Sequence, residues 1–145
     1  MISASACGKG CLLEGIAPTN PLTCCSYHKE EQIIPKRDLF VICRGLIIWT
    51  WGSGEKSCLE ILGPGEIWEC EAEGQGQLQA LGEVQGHWLK REQWREFLHI
   101  PTVEERFLSY MRKRLQKQHE WQLVLARGSV RARVAWQLLD LAERF

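Results

Sequence analysis

No apolar run in this 145-residue chain approaches the ~18–20 residues that a membrane-spanning helix requires. Its N-terminus, MISASACGKGCLLEGIAP, also lacks the basic-then-apolar order of a secretory signal. Neither a membrane span nor export is expected, and the cytoplasm is the default location. Net charge is absent as well, since 18 Lys and Arg balance 18 Asp and Glu. That excludes a chain which coats nucleic acid along its whole length, because such binding rests on counterions released from many neutralised phosphates. Cations are missing over one long stretch: no Lys or Arg lies between Lys56 and Lys90, where Glu66, Glu69, Glu71 and Glu73 occur. A site built there would repel phosphate, because a buried phosphate needs a cation and N–H donors.

What the chain has in excess is cysteine and tryptophan, seven of each. Cys7, Cys11, Cys24 and Cys25 crowd into the first 25 residues, a segment with little else from which to build a core. In a reducing compartment such a cluster reads as metal-binding or redox-active rather than as a disulfide frame; in a secreted chain the same thiols would pair. Cys43, Cys58 and Cys70 lie in strand-like runs and read as small core residues. Trp49, Trp51, Trp68, Trp88 and Trp94 are expected to pack in a core or an interface, and to shield any bound cofactor from water. With 45% hydrophobic and 25% charged residues, the chain has the composition of one globular domain.

Gly8, Gly10, Gly15, Pro18, Asn20 and Pro21 punctuate the first 25 residues too often for a long helix. Short apolar runs follow and predict strands: Gln32–Ile34, Leu39–Cys43, Leu46–Trp51, Ser57–Leu62, Glu66–Trp68 and Ala80–Leu89, with turns at Gly52-Ser53-Gly54 and Gly63-Pro64-Gly65 and a polar stretch over Glu73–Gln79. Lys90–Leu98 predicts a short helix stopped by Pro101. Thr102, with Glu105 three residues on, predicts the cap of a long helix. Phe107, Met111 and Leu115 lie on its apolar stripe, continued by Trp121, Val124 and Leu125, and a stripe of this length needs a packed partner. Gly128 ends that helix and Ser129 caps another, whose face is Val130, Val134, Leu138 and Leu141. From Thr102 onward nine basic residues face five acidic ones, a modest excess that reads as a solvated helix face.

Over Ile33 to Phe145 the chain resembles the Crp-Fnr superfamily of bacterial transcription regulators. LFVICRG, ending in Gly45, is similar to the strand and turn that close the first hairpin of its β-roll. LEILGPGEIW is similar to the strand, tight turn and strand that follow. MRKRLQ resembles the middle of the dimerisation helix, and SVRARVAWQLLDLAERF the helix leading into the hinge. The resemblance implies a mainly β fold with a long helix: a cyclic-nucleotide-binding-like β-roll, or double-stranded β-helix, with a C-terminal dimerisation helix. The divisions expected are a cysteine-rich cofactor-binding loop over 1–25, a β-roll sensor over 26–100, and dimerisation and hinge helices over 101–145, with no DNA-binding domain in the chain. A homodimer through Phe107, Met111 and Leu115 is implied, DNA being read only through a domain beyond Phe145.

The cyclic-nucleotide branch carries a cationic phosphate cassette after the Gly-Pro-Gly turn; here the matching stretch is EIWECEAEGQGQLQALGE, so no cyclic nucleotide is expected. The Fnr branch instead carries an N-terminal cysteine cluster holding an iron–sulfur cluster. By that resemblance Cys7, Cys11 and one of Cys24 or Cys25 are ligands, and His87 falls where the fourth cysteine stands. The cysteine spacing is wider than in Fnr. The expected cofactor is an iron–sulfur cluster of the 4Fe-4S kind, with zinc or heme as alternatives. A thiol–disulfide switch, or no function for these cysteines, also stays open. The function expected is a redox or gas sensor; its rival is a β-roll interaction module with a structural zinc or no metal. An enzyme is not expected, because a cupin-type active site needs several histidines inside the barrel and the strand region offers only His87. His28, His99 and His119 show no ligand spacing.

Overall fold

In the computed structural model residues 10–16, 22–52, 58–70 and 76–145 are described, without the side chains of Thr23 and Cys58. Cys7, the Ser53-Gly54 part of the first hairpin turn, Ser57, Glu71 and Glu73 lie outside them. Among the described residues eight strands are followed by three helices: β1 Thr23–Tyr27, β2 Gln32–Ile33, β3 Leu39–Arg44, β4 Ile47–Trp51, β5 Cys58–Leu62, β6 Ile67–Glu69, β7 Gly76–Ala80, β8 Val84–Leu89, α1 Arg91–Leu98, α2 Pro101–Arg127 and α3 Val130–Arg144. The strands form two antiparallel four-stranded sheets, ordered β1-β8-β3-β6 and β2-β7-β4-β5. Consecutive strands mostly belong to different sheets, which is how a β-roll places apolar faces against each other.

Strand alternation decides which residues enter the space between the sheets. Phe40 and Ile42 of β3, Trp88 of β8, Ile47 of β4, Leu62 of β5, Trp68 of β6 and Leu78 of β7 form one buried cluster, with Trp49 and Cys70 packed against it. Indoles take up much of this interior. Trp68 meets Trp49 and Trp88 edge to face at 6.2 and 6.1 Å between ring centroids, Trp49 stacks on Trp51 at 4.3 Å, and Phe40 lies 4.7 Å from Trp88. Trp88 Nε1 donates to the Tyr27 hydroxyl at 2.9 Å, which satisfies two buried polar atoms at once. Gly86 is required where it stands: a Cβ there would run into the Phe40 ring and lie 2.6 Å from the Val41 carbonyl oxygen.

Two strands differ from the sequence expectation. The segment read as a loop up to residue 25 already forms β1 at Thr23, because its partner β8 offers a full five-residue ladder from Thr23↔Trp88 to Tyr27↔Val84. The polar stretch GQLQA is β7, held between β2 and β4 with Leu78 and Ala80 buried. Two bonded neighbours outweigh its weak strand propensity.

The chain divides into two compact units, Met1–Glu104 and Glu105–Phe145. In the first, the Arg91 N–H at the start of α1 donates to Asp38 Oδ2 and the Lys90 N–H to Gln93 Oε1, each at 3.0 Å. α2 begins at Pro101 itself, not after a Thr102 cap. Proline suits a first helical turn, where its missing N–H costs nothing. In the second unit α2 ends at Arg127 and Ser129 Oγ accepts from the Ala132 N–H at 3.2 Å, so the predicted break and cap are both present. α3 folds back on α2 through Trp136, which stacks on Trp121 at 5.0 Å, and through Asp140 and Glu143, which face Lys117. The expected face of α3 is therefore displaced: Val130, Val134 and Leu138 are exposed, and only Leu141 of the four is half-buried.

Candidate functional site

Residues on the face of the β1-β8-β3-β6 sheet opposite the indole-filled interior alternate with those of the core. Val41 pairs with His87, and His87 also pairs with Cys24 across the ladder to β1. Directly paired residues on antiparallel strands share a face, so Cys24, Val41 and His87 stand together on this one. Cys25 points the other way, into the interior cluster, where Lys36 Nζ comes within 3.6 Å of its sulfur. Of the two adjacent cysteines, then, Cys24 belongs with His87 and Cys25 with the core.

This outer face is covered. Val41, Cys43, His87 and Leu89 are all buried on it, as are Cys11, Leu12 and Leu13 of the segment over 10–16. Cys11 Sγ lies 3.2 Å from Cys43 Sγ, which places the segment over β3. Two backbone bonds, Glu14 N–H to Cys11 O and Ile16 N–H to Leu13 O, close turns within the segment. Its Gly10 carbonyl sits against Gly65 of the Gly-Pro-Gly turn, where a Cβ would come within 2.7 Å of the Gly10 oxygen. Gly65 adopts φ +85°, a conformation that glycine holds without strain. The turn that in the resembling family precedes a phosphate cassette here receives the N-terminal segment.

Burial raises the Cys24 thiol above its ordinary value, and Cys25 and Cys11 nearby raise it further. All three effects disfavour the thiolate. Cys11, Cys24, Cys25, Cys43 and Cys70 are thiols, with no disulfide among them. The structure therefore brings three expected ligands, Cys11, Cys24 and His87, to one covered face. It adds Cys43, which sequence reasoning assigned to the core because it sits in an apolar run. Sulfur and imidazole are suitable donors for iron or zinc, yet among the described residues no three His, Cys, Asp or Glu side chains converge as a metal site. Of the expected dimer contacts, Leu115 is exposed, and Phe107 and Met111 are half-buried. None of the helices is long and apolar enough to cross a membrane among the described residues.

No protein-family model matches the chain, and no curated protein matches it. Solved structures do. A cyclic-nucleotide-binding-domain protein from Listeria monocytogenes aligns with a TM-score of 0.68 at 12% identity, over 86% of this chain and 63% of that one. FixK2 from Bradyrhizobium japonicum aligns at 0.62 and 20% identity, over 87% and 68%. A mutant of CooA from Carboxydothermus hydrogenoformans aligns at 0.60 and 16%, over 81% and 82%. Against the imidazole-bound form of CooA, described as a CO-dependent transcription factor, the chain spans 58% of the length. With its two sheets in roll order and the helices that follow them, this chain has the fold of a Crp-Fnr-like cyclic-nucleotide-binding domain.

Proposed function

We propose that the chain is the effector-sensing and dimerisation portion of a cytoplasmic Crp-Fnr-type transcription regulator, without catalytic activity, and that its signal enters at the cysteine-bearing outer face of the β-roll. The observation that carries this reading is the meeting of Cys24 and His87, on one face of the sheet, with Cys11 of the N-terminal segment that covers that face. The fold of a CO-dependent transcription factor supports it. The cofactor assigned there is an iron–sulfur cluster, held through Cys7, Cys11, Cys24 and His87. When bound, such a cluster supplies a redox-sensitive charge whose loss changes the packing around it. The protein's own part is to bury Cys11 and His87 and to order the segment over 10–16, which carries Cys11, above His87 and half-buried Cys24. Cyclic nucleotide is not the effector in this reading, since Trp49, Trp68 and Trp88 occupy the interior of the roll and no cation lies between Lys56 and Lys90.

Anaerobic purification followed by a visible spectrum with iron and sulfide analysis tests the assignment. A brown protein containing iron and sulfide, whose colour is lost in Cys11→Ser and Cys24→Ser, is the expected result. Colourless protein with stoichiometric zinc would replace the cluster by a structural metal and favour the interaction-module reading. Neither metal nor colour in protein handled anaerobically throughout would remove the cofactor from the proposal.

A further inference from the structure

Cys11 and Cys43 are 32 positions apart in sequence, yet their sulfurs are 3.2 Å apart on the covered outer face. Both side chains are buried, at 2% and 4% exposure. Ordinary packing does not require two thiols to meet here, since either sulfur could be replaced by an apolar group of similar size. The surroundings of the two sulfurs are unequal. The Leu13 N–H donates to Cys11 Sγ at 3.4 Å, an arrangement that favours electron density on that sulfur, whereas Cys43 directs its S–H toward the Val41 carbonyl at 4.0 Å.

From this geometry we infer that Cys11 and Cys43 form a redox-active dithiol whose oxidant is a small hydroperoxide. Cys11 is the attacking thiol and Cys43 the resolving one. The Cys11 sulfur attacks one peroxide oxygen and the O–O bond breaks; water leaves, or an alcohol from an organic peroxide, and Cys11 becomes a sulfenic acid. The Cys43 sulfur then attacks the Cys11 sulfur, an S–S bond forms, and the hydroxyl leaves as water with the Cys43 proton. Two thiols are oxidised by two electrons and one peroxide is reduced. The bond ties the segment over 10–16 to β3, beside the turn at Gly65. Burial of both sulfurs means that the peroxide reaches them when the segment lifts, so oxidation is slow compared with that of an exposed thiol.

The inference requires only the two thiols and does not rest on the cluster, which would compete for Cys11. It is tested on the full chain, purified anaerobically with its iron content recorded, freed of reductant and treated with hydrogen peroxide. Remaining thiols are alkylated and the protein is digested without reduction for mass spectrometry. A peptide pair joined Cys11 to Cys43, reversed by dithiothreitol and accompanied by slower proteolysis near residues 10–16, is the expected result. In protein that carries iron the pair should form only after a chelator removes it. Cys43→Ala, with an unchanged circular dichroism spectrum, should leave Cys11 as a trapped sulfenic acid. The inference is overturned if wild-type Cys11 joins Cys7 or Cys24 instead, or if Cys43 stays alkylatable after Cys11 is oxidised. Since the wild-type digest decides this alone, a variant that fails to fold does not block the test. Failure here leaves the iron and colour measurements untouched, and their failure leaves this one standing.

Discussion

At residue scale the interior of the roll is set by one missing side chain and one hydrogen bond. Gly86 lies opposite Cys25 on one side and Ile42 on the other, under the Phe40 ring. Gly86→Ala is expected to cost about 1–3 kcal/mol, the range for overpacking a filled core, read from the urea midpoint. An unchanged midpoint would mean that Phe40 moves aside. Trp88→Phe keeps most of the packing but leaves the buried Tyr27 hydroxyl without its donor, for a loss of about 1–3 kcal/mol. Two acids here bear on pH. The Cys24 thiol is raised above its ordinary 9.0 chiefly by burial, and the Tyr27 hydroxyl above its ordinary 10.0 for the same reason, against a lowering by the Trp88 hydrogen bond. Both groups lose protons more readily in the unfolded chain, so their contribution is full below the ordinary values and falls away as pH rises through the folded ones. Urea midpoints taken from about pH 8 to about pH 11 should therefore decline, and Cys24→Ala should flatten the early part of that decline. A midpoint that is level across the range would contradict the assignment.

Among the elements, the helical hairpin of α2 and α3 shows which interactions matter. Lys117 faces Glu120, Asp140 and Glu143, and it also lies 5.8 Å from the Trp136 ring centroid. These charges are partly exposed, and pairs of that kind contribute ~0–1 kcal/mol each. Trp121 and Trp136 stack at 5.0 Å and are both half-buried, and indole rings carry a large apolar surface. Trp136→Ala should thus loosen the hairpin far more than Lys117→Gln, seen as faster tryptic cleavage between Arg127 and Arg133. Equal effects would shift the weight to the ion pairs. The break at Gly128 and the Ser129 cap could be read from sequence because each rests on a local rule, a tight turn and a side chain reaching the next free N–H. The face of α3 could not, because Val130, Val134, Leu138 and Leu141 are as periodic as Trp136, Asp140 and Glu143, and only the partner helix selects between the two.

For the whole molecule the prediction concerns association. Leu108 and Leu115 are exposed by 52% and 61% on α2, and half-buried Met111 lies between them. Spacings of three and four residues make this an apolar seam suited to a parallel partner helix. The chain is expected to be a homodimer by light scattering. Leu115→Glu should make it a monomer with an unchanged circular dichroism spectrum, because the site is solvent-exposed in a single chain and a carboxylate is penalised only once a second helix covers it. A wild-type monomer, or a variant that remains dimeric, would rule out this seam.

The strands, the long helix and the helix break are legible in the chain alone, since each is written in a local pattern: alternating apolar runs, turn glycines at fixed places, a capping serine. The β-roll arrangement of those strands came only as what the resemblance to Crp-Fnr regulators implies. The sequence also limited the ligand chemistry by leaving a long stretch without cations. Where the pattern was weak, the tertiary structure decided. GQLQA became a strand because β2 and β4 offered bonds on both of its edges. The choice between Cys24 and Cys25 needed the β1–β8 register, because adjacent strand residues point to opposite faces and only pairing shows which face meets His87. Cys43 read as an ordinary core residue, for its meeting with Cys11 is a contact between positions 32 apart that no local spacing records. Such contacts arise from the way the chain closes on itself, and only the folded roll brings the two sulfurs together.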